Sequence, residues 1–176
     1  MQDWLEWTLI GLGGVVALYV LFMFVVLIII SKFNKRLKNR REALRLLLAQ
    51  RKDIALSLYR LVTEAKVKIP MAILNKTSEL EHKEIALLNN YEIFEYAPEV
   101  EKIIKAFFEL IEASKTLKKS ETAAQLKKEV TELDEIRRQH IAIYNSDING
   151  YNYWIRLMSY RLILSALGFH PKKRIE

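Results

Sequence analysis

The chain contains no cysteine, which removes disulfide staples, thiolate-ligated zinc, thiol nucleophiles and a lipid-modified N-terminal cysteine together. It has three prolines and five glycines in 176 residues, and three of the glycines fall before residue 15. Chain punctuation of this kind is thus nearly absent beyond the N-terminus, which favours a few long helices over many short elements. Strand signals are missing as well. No run keeps a period of two, and the one Asn-Gly pair, Asn149-Gly150, lies inside a helical apolar stripe rather than between two apolar runs. Gly150 reads as a helix-interior glycine, at a cost of about 1 kcal/mol.

What is present begins with a charge-free run. Thr8 to Ile30, TLIGLGGVVALYVLFMFVVLIII, has no charged residue. As a helix it is about 34 Å long, enough for the roughly 30 Å hydrocarbon core of a bilayer. A cleaved signal peptide would need a basic start and a shorter apolar run, whereas this chain starts MQDWLEW. The expectation is a permanent anchor. Residues 31–41, SKFNKRLKNRR, hold six basic side chains and no acidic one. The positive-inside rule puts this side in the cytoplasm and the N-terminus outside, with Trp4 and Trp7 at the outer interface. Lys32, Lys35, Arg36 and Lys38 then contact anionic headgroups. The formal charge is +7. The basic run accounts for nearly all of it, so the rest of the chain is close to neutral and nucleic-acid binding is not expected.

Beyond the anchor the apolar spacing is helical. Leu44, Leu47, Ile54, Leu58, Leu61 and Ala65 share one face of a first helix, with Arg51 in the same register. This helix is expected to run to about Lys68 and to be ended by Pro70. Ser78 and Glu81 have the spacing of a capping box, so a second helix is expected from there to about Tyr91. Pro98 suits the first turn of a third helix, to about Leu117. Ser120 suits the N-cap of a long fourth helix, whose stripe is Leu126, Val130, Leu133, Arg137, His140, Tyr144, Ile148, Tyr151 and Ile155. Short turns make successive helices antiparallel. The expected fold is all-α: one transmembrane helix followed by an elongated up-down four-helix cytoplasmic bundle, with a two-helix stalk near the membrane. In residue ranges this is an outer segment 1–7, a span 8–30, a basic segment 31–41, a helical domain 42–156 and an apolar-basic tail 157–176.

Side chains that could do chemistry are scattered. His82, His140 and His170 fall on different elements, and no histidine has a partner four residues away, so neither a metal nor another cofactor is expected. GLGG at 11–14 lacks the lysine and strand of a phosphate loop. Gly13 and Ala17 instead form a small-residue pair through which the anchor can meet itself or a partner helix. In YNSDINGYN, 144–152, Tyr144, Ile148 and Tyr151 continue the core stripe. Asn145, Asn149 and Asn152 repeat beside it, where amides can fix the register of a helix seam. His140 is expected in the same seam. An ion pair from Asp53 to Arg137 or Arg138 is expected across it, because both levels lie about 30 Å from the membrane edge. A competing reading treats His140, Tyr144 and Asn145 as a ligand-binding or catalytic cluster. The tail segment 157–169 carries one charge, Arg161. It is expected to lie in the inner interface or against Phe33 and Leu37, with Lys172, Lys173 and Arg174 at the headgroups. The alternatives are that it caps the stalk without touching lipid or covers a neighbouring subunit.

These residues resemble the LemA family of bacterial membrane proteins. YNSDINGYN and the ending LSALGFHPKKRIE are similar to that family's repeated Tyr-Asn pair and Gly-Phe-x-Pro close. IEASKTLKKSETAAQLKKEV resembles its Glu-Ala-Tyr-Pro-x-Leu-Lys segment at Glu112, Ala113, Leu117, Lys118, Gln125 and Leu126. QRKDIALSL matches at Arg51, Asp53 and Leu58. The resemblance covers residues 110–176 and, more loosely, 34–66. Leu56-Ser57, Ser114-Lys115 and Met158-Ser159 stand where the family has Pro-Asn, Tyr-Pro and Phe-Pro, so kinks found in the family are not expected here. The resemblance implies an N-out, single-pass protein of the bacterial cell membrane with a helical cytoplasmic domain. It implies no catalytic residues, and a partner such as a membrane zinc peptidase. The functional expectation is a non-enzymatic scaffold or adaptor in membrane-protein quality control or membrane organisation.

Overall fold

A computed structural model describes residues 2–89, 92–157 and 160–175. The described residues are helical and contain no strand. In chain order they form α1 (Gln2–Glu64), α2 (Met71–His82), a 3₁₀ turn (Ile85–Leu87), α3 (Glu92–Ala113), a second 3₁₀ turn (Leu117–Lys119), α4 (Glu121–Arg156) and α5 (Arg161–Ala166).

With no proline before Pro70, nothing interrupts α1 from the apolar run into the amphipathic stretch. It stops at Glu64, a few residues before the expected end. Lys66 adopts a left-handed conformation, φ 55°. The Val67 amide then donates to the Val62 carbonyl (3.2 Å) and the Lys66 amide to the Thr63 carbonyl (3.0 Å). This is a Schellman ending built on lysine instead of glycine.

The starts of α2 and α3 differ from the expectation. Ser78 does not cap a helix: it lies inside α2, which begins directly after Pro70, whose carbonyl accepts from the Ile73 and Leu74 amides. Proline suits a helix start because it has no amide hydrogen to leave unpaired. The helix ends at His82, where Lys83 turns extended; Tyr91 lies outside the described residues. In α3 Pro98 is internal rather than in the first turn. The cap is a reciprocal pair: the Glu92 amide donates to Asn89 Oδ1 (3.0 Å) and the Asn89 amide donates to a Glu92 carboxylate oxygen (2.6 Å). Asn89 and Glu92 thus form the capping box expected at Ser78 and Glu81. Ser120 does cap α4, its Oγ accepting from the Ala123 amide at 3.4 Å.

The chain divides into two compact units, and the division cuts across α1 and α4 rather than between elements. One unit is residues 40–143. Its core joins Leu48, Ala55, Leu58 and Val62 of α1 to Leu80 of α2, Val100, Ile104 and Phe107 of α3, and Ala123 and Val130 of α4. The other combines residues 1–39 with 144–174. There Val26, Ile30 and Leu37 of α1 are buried at spacings of four and seven, and Tyr144, Ile148, Tyr151 and Ile155 of α4 at four, three and four, as in a helix seam. Residues 144–156, expected to belong with the helical domain from 42 onward, group instead with the apolar helix and the tail.

Arg51 is the buried cation of the 40–143 unit. It is 2% exposed and pairs through Nη1 with Asp134 Oδ1. The expected partner of α4, Asp53, is exposed, and Arg138 is exposed as well. Arg137 Nη1 lies 3.7 Å from Glu101. The pairing therefore uses the neighbouring register. Asp53 is two residues from Arg51, which turns it about 200° round the helix and off the packed face.

Two outcomes follow from these contacts. Left-handed backbone strains a lysine by about 1–2 kcal/mol and a glycine hardly at all. Lys66→Gly should therefore stabilise the protein by about 0.5–1 kcal/mol after the extra freedom of an unfolded glycine is subtracted, read as a higher Tm in detergent. The second concerns Glu101, whose carboxyl is held below its ordinary pKa. A hydrogen bond from Lys105 (2.8 Å) is the main cause and burial opposes it; the charges of Lys105, Arg51 and Arg137 add to the lowering. A lowered carboxyl stabilises the fold above its unfolded pKa and loses that effect as pH falls through the lowered value. Glu101→Gln should thus be less stable by under about 1 kcal/mol near neutral pH and equal to the parent in acid, where denaturant midpoints would converge.

Candidate functional site

The Tyr-Asn repeat builds a cradle for the C-terminal tail. Tyr151, 1% exposed, faces α1, and its hydroxyl is hydrogen-bonded to the Asn34 side chain. Burial raises the Tyr151 pKa and this hydrogen bond only partly opposes it, so the ring stays neutral at physiological pH. The Lys172 ammonium sits 4.4 Å from the centre of the same ring and donates to Asn34 Oδ1. Asn152 completes the grip. Its Nδ2 donates to the Lys172 carbonyl and its Oδ1 accepts from the Lys172 amide, both at 2.8 Å. One turn earlier, Asn149 Oδ1 accepts from Arg174 Nε (2.8 Å) and Nη2 (2.5 Å).

The tail reaches this cradle by turning back. Tyr160 stacks on Tyr19 of α1, with ring centres 4.9 Å apart, and lies 5.6 Å from Phe22. After α5, Gly168 at φ 83° lets the Phe169 amide reach the Leu164 carbonyl (2.9 Å). This second Schellman ending points the chain back toward Asn152. The tail thus meets α1 at Tyr19 and Phe22, deeper in the apolar run than the Phe33 and Leu37 expected, and again at Asn34. Phe33 serves another purpose. A Cβ on Gly150 would lie 2.6 Å from its ring, so the glycine allows α4 to approach that ring closely. Met158 and Ser159, two departures from the family pattern, lie outside the described residues.

A groove of about 850 Å³ opens beside the cradle, lined by Asn149, Asn152, Tyr153, Arg156, Leu157, Lys172 and Arg174. Three of these carry positive charge and none is acidic. Of the expected residues, Asn149, Asn152, Lys172 and Arg174 come together here. Arg156 and Tyr153 do not appear among those expected residues; the signal that could have found them is the i, i+3, i+4, i+7 spacing of Asn149, Asn152, Tyr153 and Arg156, which puts them on one helix face. Asn152, expected to fix a helix register, instead holds the tail backbone.

The remaining expected residues are dispersed. Tyr144 and Ile148 are buried in the seam, and Asn145 is half-buried beside them. His140 is half-buried, with its Nδ1 buried and lacking a hydrogen-bond partner. None of His140, Tyr144 and Asn145 lines the groove. Gly13 and Ala17 are exposed on α1, and a Cβ on Gly13 would meet no atom within 4 Å. Lys32, Lys35, Arg36, Lys38 and Lys173 are exposed, with Arg36 lying 5.8 Å over the Phe33 ring. No group of three histidine, aspartate or glutamate side chains that could hold a metal ion occurs among the described residues. No family model, curated protein or solved structure matches the chain.

The cradle predicts a proteolytic signature. Asn152→Ala removes both hydrogen bonds to Lys172 and leaves its backbone amide and carbonyl without their partner, a loss of about 1–3 kcal/mol. Trypsin should then cut after Lys172 and Lys173 much faster than in the parent protein, as mass spectrometry of the released C-terminus would show. Asn149→Ala, which leaves the backbone grip intact, should have a smaller effect.

Proposed function

We propose that this protein is a single-pass, membrane-anchored helical scaffold or adaptor, with its N-terminus outside and an up-down four-helix domain in the cytoplasm. The observation that carries the reading is the surface of α1. The helix is long and apolar enough to cross a membrane, and Leu9, Leu12, Val16, Leu21, Phe24 and Ile28 on it are all exposed. Apolar surface of this extent needs lipid or another helix to cover it. The basic residues from Lys32 to Arg41 support the orientation. The resemblance to the LemA family supports the same reading and adds a bacterial cell membrane, a role in membrane-protein quality control or membrane organisation, and a membrane zinc peptidase as a candidate partner.

The absence of native cysteine makes the topology simple to test. Trp4→Cys and Glu132→Cys, made separately, should be modified by a membrane-impermeant maleimide in different ways. Trp4→Cys should react on intact cells and Glu132→Cys only after permeabilisation. The opposite pattern would reverse the orientation, and recovery of the protein in the soluble fraction would remove the anchor. Crosslinking in native membranes should then capture a specific membrane-protein partner or a second copy of the chain; capture of neither would remove the adaptor role.

A further inference from the structure

We propose that the groove between the end of α4 and the tail binds one anionic phospholipid, its phosphate held by Arg156 and Arg174 and its acyl chains lying along Leu157. The inference rests on the membrane reading above.

The charge of the groove is the first argument. Among the described residues Arg156 has no ion-pair partner, and the Arg174 guanidinium meets the neutral amide of Asn149. Lys172 brings a third cation to the same wall. The groove lining has three cations and no acidic side chain, which favours an anion, and a guanidinium suits phosphate oxygens because its N–H groups form a planar fork.

The level of the groove is the second argument. Lys172 reaches Asn34, and a Cβ on Gly150 would touch Phe33. Both α1 residues lie just past Ile30, where the apolar run gives way to Ser31, Lys32 and the basic stretch. This is the depth at which hydrocarbon meets headgroups. Tyr153, 65% exposed on the rim, is the kind of side chain that settles at such a boundary.

The third argument is the apolar surface that adjoins the cations. Leu157 lines the groove, and Tyr160 beyond it is seated on Tyr19 and Phe22 within the apolar run. Leu162 of α5 is 84% exposed and Leu167 just after it 55%. A free phosphate would use only the cations, whereas a lipid uses both surfaces. The combination favours the lipid.

The full chain, released in mild detergent from membranes containing phosphatidylglycerol and phosphatidylcholine, would be weighed by native mass spectrometry. One retained phosphatidylglycerol per chain is expected. Arg156→Gln with Arg174→Gln should weaken retention about thirtyfold, since each cation near a lipid surface contributes about fivefold. Lys118→Gln with Lys119→Gln, an equal loss of charge within the 40–143 unit, should leave retention unchanged, and Arg156→Lys with Arg174→Lys should restore most of it. Circular dichroism of the double glutamine variant should match the parent. Equal retention by parent and glutamine variant would overturn the groove as the site. Displacement of the lipid by millimolar inorganic phosphate, or retention of phosphatidylcholine as tight as that of phosphatidylglycerol, would overturn an anionic lipid as its occupant. Carbonate extraction of the same membranes separates the two claims, because a chain lost to the supernatant overturns the membrane reading itself.

Discussion

A primary amide can donate and accept in one plane, and Asn152 directs both functions at the backbone of a single residue, Lys172. The tail's position depends on this pairing. With Lys172 held, its ammonium lies over Tyr151 and its neighbour Arg174 reaches Asn149. With both ends of the tail fixed, at Tyr160 on α1 and at Lys172 on α4, the intervening α5 cannot drift from the seam. The amides do not titrate, and burial keeps the Tyr151 hydroxyl protonated.

The seam beneath the cradle is ordinary packing put to a specific use. Tyr144, Ile148, Tyr151 and Ile155 repeat at the spacing of a helix interface, so the tyrosines contribute buried area while Asn149 and Asn152 beside them bind the tail. Gly150 belongs to the same design. A glycine inside a helix costs about 1 kcal/mol, and here it admits the Phe33 ring into the space a side chain would fill. The two Tyr-Asn pairs both lie along this seam. Each tyrosine packs into the seam, and the second pair also receives the returning chain.

The features that could be read from the residues alone were those set by local spacing. The charge-free run, the stripe through Val130, Tyr144, Ile148, Tyr151 and Ile155, and the cap at Ser120 all depend on residues a few positions apart. Competition between equal local signals defeated the reading elsewhere. Ser78-x-x-Glu81 and Asn89-x-x-Glu92 have the same capping spacing, and only the second is used, because α2 had already started at Pro70. The salt bridge failed by a register step: Arg51 was recognised on the buried face, but its exposed neighbour Asp53 was matched to α4 in its place. Contacts that close over long stretches of chain, such as Asn152 to Lys172 and Lys172 to Asn34, leave no periodic trace. The tail could be recognised as apolar and basic, yet not as folded back.

The claim that joins these observations is that α1 lies in a membrane with the tail seated against it. A pair of cysteines at Tyr19 and Tyr160, whose rings stack in the structure, tests it in one step. In carbonate-washed native membranes, a short bifunctional thiol reagent should join the two positions within a single chain and leave the crosslinked protein in the membrane pellet. A chain in the pellet with the two cysteines unjoined, or crosslinked protein in the supernatant, would contradict the account.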